Sequence, residues 1–191
     1  MSRIFLDVGA HHGQTIELLL QRRFKMDHII GFEPSPLCHP ILDNKFGSNE
    51  KVTVLEFGLW SKTCEMILFN EGSQGGTVHP DYQTTCNPEE RETKCQFVKA
   101  SDWFRDNVSE DDEVFLKLNC EGSECEIIID LIESGEYDKV KATLIDFDVR
   151  KSPSQKHKEQ QLRQILEERG ITNVHVYMGD SRHMILPSVL R

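Results

Sequence analysis

The chain is short of positive charge: 22 Lys and Arg stand against 32 Asp and Glu, a formal net charge of −10. An acidic chain lacks the electrostatic footprint of a protein that grips a phosphate backbone, so nucleic acid is not an expected partner. Long apolar runs are missing too. Runs such as Ile127 to Ile129 fall far short of the roughly 20 residues a helix needs to cross a bilayer, so no membrane partner is expected. Six cysteines are present, yet no two form a C-x-x-C pair, which removes the common zinc and thioredoxin-like patterns. The opening residues run directly into an apolar strand rather than a leader, so the expectation is reduced thiols in a cytoplasmic setting. The G-x-G-x-x-G spacing of dinucleotide turns and the Gly-Lys-Ser/Thr ending of a P-loop are both absent. These gaps weigh against an NAD(P)-linked oxidoreductase, which stays the alternative enzyme class.

What is present fits one domain over residues 1–191, with 38% hydrophobic and 28% charged residues, as in ordinary globular chains. Ile4 to Val8 is a short apolar run that ends at Gly9, the pattern of a buried strand. Gln14 to Phe24 carries apolar residues at helical spacing. His28 to Phe32 is a second strand, and Ser35-Pro36 is expected to open a helix. Val52 to Phe57 reads as a third strand and Cys64 to Phe69 as a fourth, in a local hairpin. Strands at Gln96 to Ala100, Val114 to Leu118 and Lys141 to Phe147 alternate with helices at Ser101 to Asp106, Glu124 to Ser134 and Ser154 to Arg169. Val174 to Tyr177 and His183 to Leu186 are expected to close the chain as a hairpin. Such alternation predicts an α/β fold with a parallel sheet and helices on both faces. Asn70 to Thr93 breaks the pattern; its length and glycines predict a lid or acceptor loop.

In such a sheet ligands sit beyond the carboxyl ends of the strands. Three segments converge there: Gly9 to Gly13, Glu33-Pro34 and Asn119 to Gly122. The first turn reads Asp7-x-Gly9-x-x-x-Gly13-x-Thr15. Glycines allow a tight turn, and the helix start behind it offers free N–H groups and a partial positive charge. Glu33 ends the second strand, 20 residues after Gly13, where a carboxylate can accept hydrogen bonds from the hydroxyls of a ribose. Glycines four apart fit a mononucleoside better than a dinucleotide.

Leu6-Asp7-Val8-Gly9-Ala10-His11-His12-Gly13-Gln14-Thr15 resembles the opening motif of the FkbM-type SAM-dependent methyltransferases. Gly31-Phe32-Glu33-Pro34-Ser35-Pro36 resembles their second motif. Phe115 to Glu124 resembles their third, K-x-D-x-E-G-x-E. Gly58-Leu59-Trp60-Ser61 and Gly72 to Thr77 match weaker features, and the likeness runs over roughly residues 3 to 147. The resemblance implies a Rossmann-like class I methyltransferase sandwich: a mostly parallel seven-stranded sheet with an antiparallel last strand. It implies S-adenosyl-L-methionine (SAM) as cofactor and O-methylation of a sugar, glycan or other small molecule. By position, Asp7, Gly9, Ala10, His11, Gly13 and Thr15 would surround the amino-acid end of SAM, with Glu33 and Pro34 at its ribose. Leu59 and Trp60 would lie near adenine, and Asn119 near the amino group or the acceptor. The chain departs from the family at Asn119, where Asp is usual, and at Asp146-Phe147-Asp148, where E-x-H is often found. A non-catalytic SAM-binding or interaction module is the alternative that Asn119 favours.

A sulfonium methyl is already activated, so the protein must mainly align a hydroxyl and take its proton. The candidates are His12, Glu121, Asp148 and Asn119. His79 is expected at the surface, and Lys117 in a structural ion pair. A metal on Asp146 and Asp148, two apart on a strand, is considered and not adopted, so no residue is assigned to a metal. The chain is also expected to be able to form a domain of a longer polypeptide.

Overall fold

The structure, a computed structural model, describes residues 1–83, 91–179 and 182–190. Six parallel strands form the main sheet: β1 (Arg3–Val8), β2 (His28–Phe32), β3 (Val52–Leu55), β7 (Glu113–Leu118), β8 (Val140–Ile145) and β9 (Val174–Val176). Their order is β3-β2-β1-β7-β8-β9. β4 (Gly58–Trp60), β5 (Cys64–Phe69) and β6 (Glu92–Lys99) form a small second sheet in the order β4-β6-β5. The helices are α1 (Gln14–Leu19), α2 (His39–Phe46), α3 (Ala100–Asn107), α4 (Glu124–Ser134), α5 (His157–Glu168) and α6 (Arg182–Val189).

Both faces of the main sheet are covered, which is why its strands read as nearly unbroken apolar runs. Side chains alternate across a strand. Ile4, Leu6 and Val8 of β1 therefore enter one core cluster, with Phe104, Ile128, Leu131 and Leu162 from α3, α4 and α5. Phe5 points the other way, into a cluster with Ile16, Leu42, Phe46 and Leu186 from α1, α2 and α6. No helix among the described residues is long and apolar enough to cross a membrane.

The α/β class, the parallel sheet and the helices on both faces agree with the sequence expectation. The count does not: six strands are described rather than seven, and none in the main sheet is antiparallel. The expected strand at His183–Leu186 is part of α6. Ile185, Leu186, Val189 and Leu190 recur at helical spacing and pack on the second cluster, and that spacing outweighs the short β-prone run. The first helix is also shorter than expected: α1 stops at Leu19, Gln21 is extended, and a 3-10 turn covers Arg22–Phe24.

Two further boundaries moved, each for a local reason. α2 starts at His39 and not at Ser35. The Ser35 N–H donates to Glu33 at 2.9 Å and the Leu37 N–H to Glu71 at 3.1 Å, so these groups serve carboxylates rather than a helix. β5 forms its hairpin with β6, pairing Cys64 with Phe97 and Phe69 with Glu92. The partner is thus the strand beyond the long segment. Part of that segment, residues 84–90, lies outside the described residues.

Candidate functional site

β1 and β7 are central neighbours, and the chain leaves them toward opposite edges. A crevice must open over their carboxyl ends, the usual ligand position in open α/β sheets. A cavity of about 280 Å³ lies there. Gly9 has φ +79°, and a Cβ on it would stand 2.0 Å from the Asn119 carbonyl oxygen. The turn after β1 therefore lies directly on the exit of β7, and only glycine fits. Gly13, with φ +80°, seats α1 on α2: a Cβ there would be 2.3 Å from the Phe46 ring.

Behind the turn, Asp7 and Lys117 are register partners on β1 and β7. Register therefore dictates their ion pair, 2.8 Å long and buried on both sides. Lys117 Nζ also donates to the Gly9 carbonyl at 3.0 Å, which pins the turn to the sheet.

Glu33 ends β2 and is buried in the cavity wall. Its Oε2 accepts the His11 N–H at 2.7 Å and its Oε1 the Ser35 N–H at 2.9 Å. Burial pushes this carboxyl up, and the two N–H bonds pull against that shift. A second buried acid, Glu71, accepts the Ser35 hydroxyl at 2.9 Å and ties the long segment to the β2 exit. His11 sits in the left-handed region at φ +47°. Burial first, and the neighbouring His12 second, lower its pKa to about 4, against the pull of the Gly72 carbonyl. Its ring is neutral at pH 7.

Acids gather at the far side of the cavity. Glu121 follows β7 with φ +53°, a strained setting for a non-glycine residue. The Thr77 hydroxyl donates to its carbonyl at 2.6 Å, and the Tyr82 hydroxyl donates to its Oε2. Asp148 follows β8. Lys151 reaches Asp148 Oδ1 at 2.6 Å and Glu121 Oε2 at 3.6 Å. Burial and then the Asp148 charge push Glu121 up to about 7, opposed by Tyr82 and Lys151. Fully buried Glu124 accepts the N–H groups of Cys120 and Gly122 at 3.1 and 3.0 Å. Burial, then Asp148, push it up to about 8. Acids crowded this way hold a proton near neutral pH and can exchange it there.

The sequence-derived residues divide into wall and support. Gly9, Ala10, His11, Thr15 and Glu33 line the cavity, as do Pro34, Leu59, Asn119, Glu121 and Asp148. Asn119 keeps a buried Oδ1 that has no hydrogen-bond partner among the described residues. Asp7, Gly13, His12 and Trp60 are not among the lining residues. Trp60 turns instead into a small cluster with Leu68, Cys95 and Phe97.

Two expectations need correction. His79 is buried, with its Nε2 at 3.1 Å from the Gly122 carbonyl, and is not a surface residue. Asp146 and Asp148 do not share a strand face, because β8 stops at Ile145 and Asp148 opens a 3-10 turn. Asp146 accepts the Gly179 N–H at 2.8 Å. The stretch Gly72–Val78, within the segment expected as a lid or acceptor loop, lines the cavity and is pinned through Thr77. Sequence reasoning missed Ser35, Cys38, Tyr82, Glu124 and Lys151. Ser35 and Glu124 alone carried a signal, lying within the second and third motifs.

A parallel sheet with a lined cavity over its central switch point defines a Rossmann-like fold. A family model described as Methyltransferase FkbM domain matches residues 7–171, and the chain belongs to that methyltransferase family. A crystal structure of methyltransferase FkbM from Methylobacillus flagellatus KT is similar, with a TM-score of 0.50 and 15% identity. The match covers 87% of this chain and 37% of that one, so this chain spans little more than a third of its neighbour. Likeness at that identity concerns the fold. No match is found among curated proteins.

Proposed function

We propose that the protein is a SAM-dependent O-methyltransferase acting on a hydroxyl of a sugar, glycan or other small molecule. The observation that carries this reading is the pairing of two chemistries in one cavity. Glu33 and the Gly9 turn stand at one side, and the Glu121–Asp148 acid pair at the other. Three features fit SAM. The cradle at Gly9 has no room for a Cβ, a carboxylate ends β2, and the partnerless Oδ1 of Asn119 suits an ammonium donor.

Glu33 would hold the ribose hydroxyls, Leu59 the adenine, and the turn with Asn119 the amino-acid end. SAM supplies an electrophilic methyl on a positive sulfur. The chain's own residues exclude water, orient the acceptor and take its proton. Glu121, held by Tyr82 and Lys151 beside Asp148, is the base. Glu121 would take the acceptor's O–H proton, and SAM, when bound, would supply the methyl group and leave as S-adenosylhomocysteine.

The test is calorimetric titration with SAM, S-adenosylhomocysteine and NAD. Binding of the first two is expected. Binding of NAD with neither SAM-type ligand would overturn the reading. Turnover is then followed as S-adenosylhomocysteine release over a panel of sugars and small alcohols.

A further inference from the structure

A second constellation stands in the same wall and has no role in the proton transfer above. The rings of consecutive His11 and His12 stack 3.8 Å apart, with planes 21° from parallel. Cys38 lies buried at the N-terminal edge of α2. One ligating atom from each of the three, a ring nitrogen or the sulfur, lies within 4.8 Å of the others. His11 and Cys38 line the cavity. Nε2 of His11 is buried without a hydrogen-bond partner among the described residues.

In a tetrahedral zinc site with Zn–N near 2.0–2.1 Å and Zn–S near 2.3 Å, ligand atoms stand roughly 3.3–3.8 Å apart. With separations no greater than 4.8 Å, the three atoms exceed that spacing by at most about 1 Å, within reach of side-chain rotation. Two imidazoles and a thiol are a borderline-to-soft set. They suit zinc-class ions and not magnesium or calcium, which take oxygen ligands.

We propose that His11, His12 and Cys38 form a binding site for a zinc-class divalent cation, with a fourth position left for water or a cavity ligand. On binding, the Cys38 thiol gives its proton to solvent as the sulfur–metal bond forms. The site stands without the SAM reading. Only its consequence rests on that reading: an ion in the cavity wall and SAM in the cavity would change each other's affinity by the same factor.

The experiment uses the full chain, chelator-treated and kept reduced, with Co²⁺ as the probe. The expected result is one equivalent bound. A thiolate-to-cobalt charge-transfer band and tetrahedral visible bands should appear and be lost on adding Zn²⁺. Cys38→Ser should abolish the charge-transfer band. His12→Gln, at a less buried position, should weaken Co²⁺ by more than about 100-fold, beyond the roughly 10–100-fold that loss of an outer partner alone can cause. Circular dichroism confirms that each variant is folded. Absence of the band in the parent chain, or its survival in folded Cys38→Ser, overturns the site. SAM titrations with and without Zn²⁺ read the linkage separately. Equal affinities discard the linkage and leave the site. Failure of SAM to bind both with and without Zn²⁺ discards the cofactor reading alone.

Discussion

At the scale of single residues, Glu33 and Lys117 carry opposite kinds of work. Glu33 faces the cavity with both oxygens on backbone donors, and its spare lone pairs can take a ribose. Glu33→Gln keeps one acceptor and removes the charge. Hydrogen bonds to a charged group contribute about 1.5–3 kcal/mol, so SAM affinity should fall roughly 10–100-fold by calorimetry. Unchanged affinity would take this residue out of the site. Lys117 faces away from the solvent and neutralises Asp7. Breaking one half of a buried pair leaves an uncompensated charge, at a cost of about 3–5 kcal/mol. Lys117→Met should therefore lower unfolding stability by that amount in urea titrations. A loss under about 1 kcal/mol would mean that Asp7 finds another partner. Glu33 was legible in the sequence because it ends a strand after a glycine turn. Ser35 lay in the same motif, whereas Glu71 and Cys38, which complete its surroundings, carry no spacing signal.

At the scale of elements, the ends of β1, β7 and β8 build the site, and their close approach is testable. Gly9→Ala forces a Cβ against the β7 exit at a left-handed φ. Stability should drop by roughly 2–4 kcal/mol, the range of strained or overpacked positions. A neutral outcome in chemical denaturation would mean that the turn can slide off β7. The acid pair after β7 and β8 should set the pH profile. Glu121 is pushed up to about 7, and a base works only when deprotonated. The turnover rate should rise with pH and level off above about 7. The Lys151 charge favours the ionised form, so Lys151→Met should move that rise to higher pH. A profile that stays put in the variant removes Lys151 from the pair. The boundaries of these elements were less legible than their existence. β8 ends at Ile145 because Asp146 turns to the Gly179 N–H, a contact made across the sheet.

At the scale of the whole molecule, the raised acids make stability depend on pH. Burial raises Glu121 and Glu124 above the ordinary carboxylate value of 4.5, so the folded chain holds these protons more tightly than the unfolded chain. Their stabilising contribution is full below about 4.5 and is lost as pH rises through about 7 and about 8. Glu124→Gln keeps an acceptor for the Cys120 and Gly122 N–H groups and removes the titration. Its Tm should fall less than the parent's between about pH 6 and about pH 9. Parallel slopes would mean that Glu124 ionises freely in the folded state. The sheet that creates this burial needed both faces covered, and its two core clusters do so.

The amino-acid sequence by itself determined the α/β alternation, the glycine turn, the acid at the end of β2 and the third motif. All of these are written in local spacing, where propensity and periodicity act within a few residues. Tertiary structure alone decided that the closing apolar residues form α6 rather than a strand. It also folded residues 72–78 into the cavity wall and brought Tyr82 and Lys151 to Glu121. Cys38 meets the adjacent histidines 11 and 12 only because Gly13 seats α1 on α2. Such meetings depend on packing between segments far apart in the chain, which no local pattern encodes.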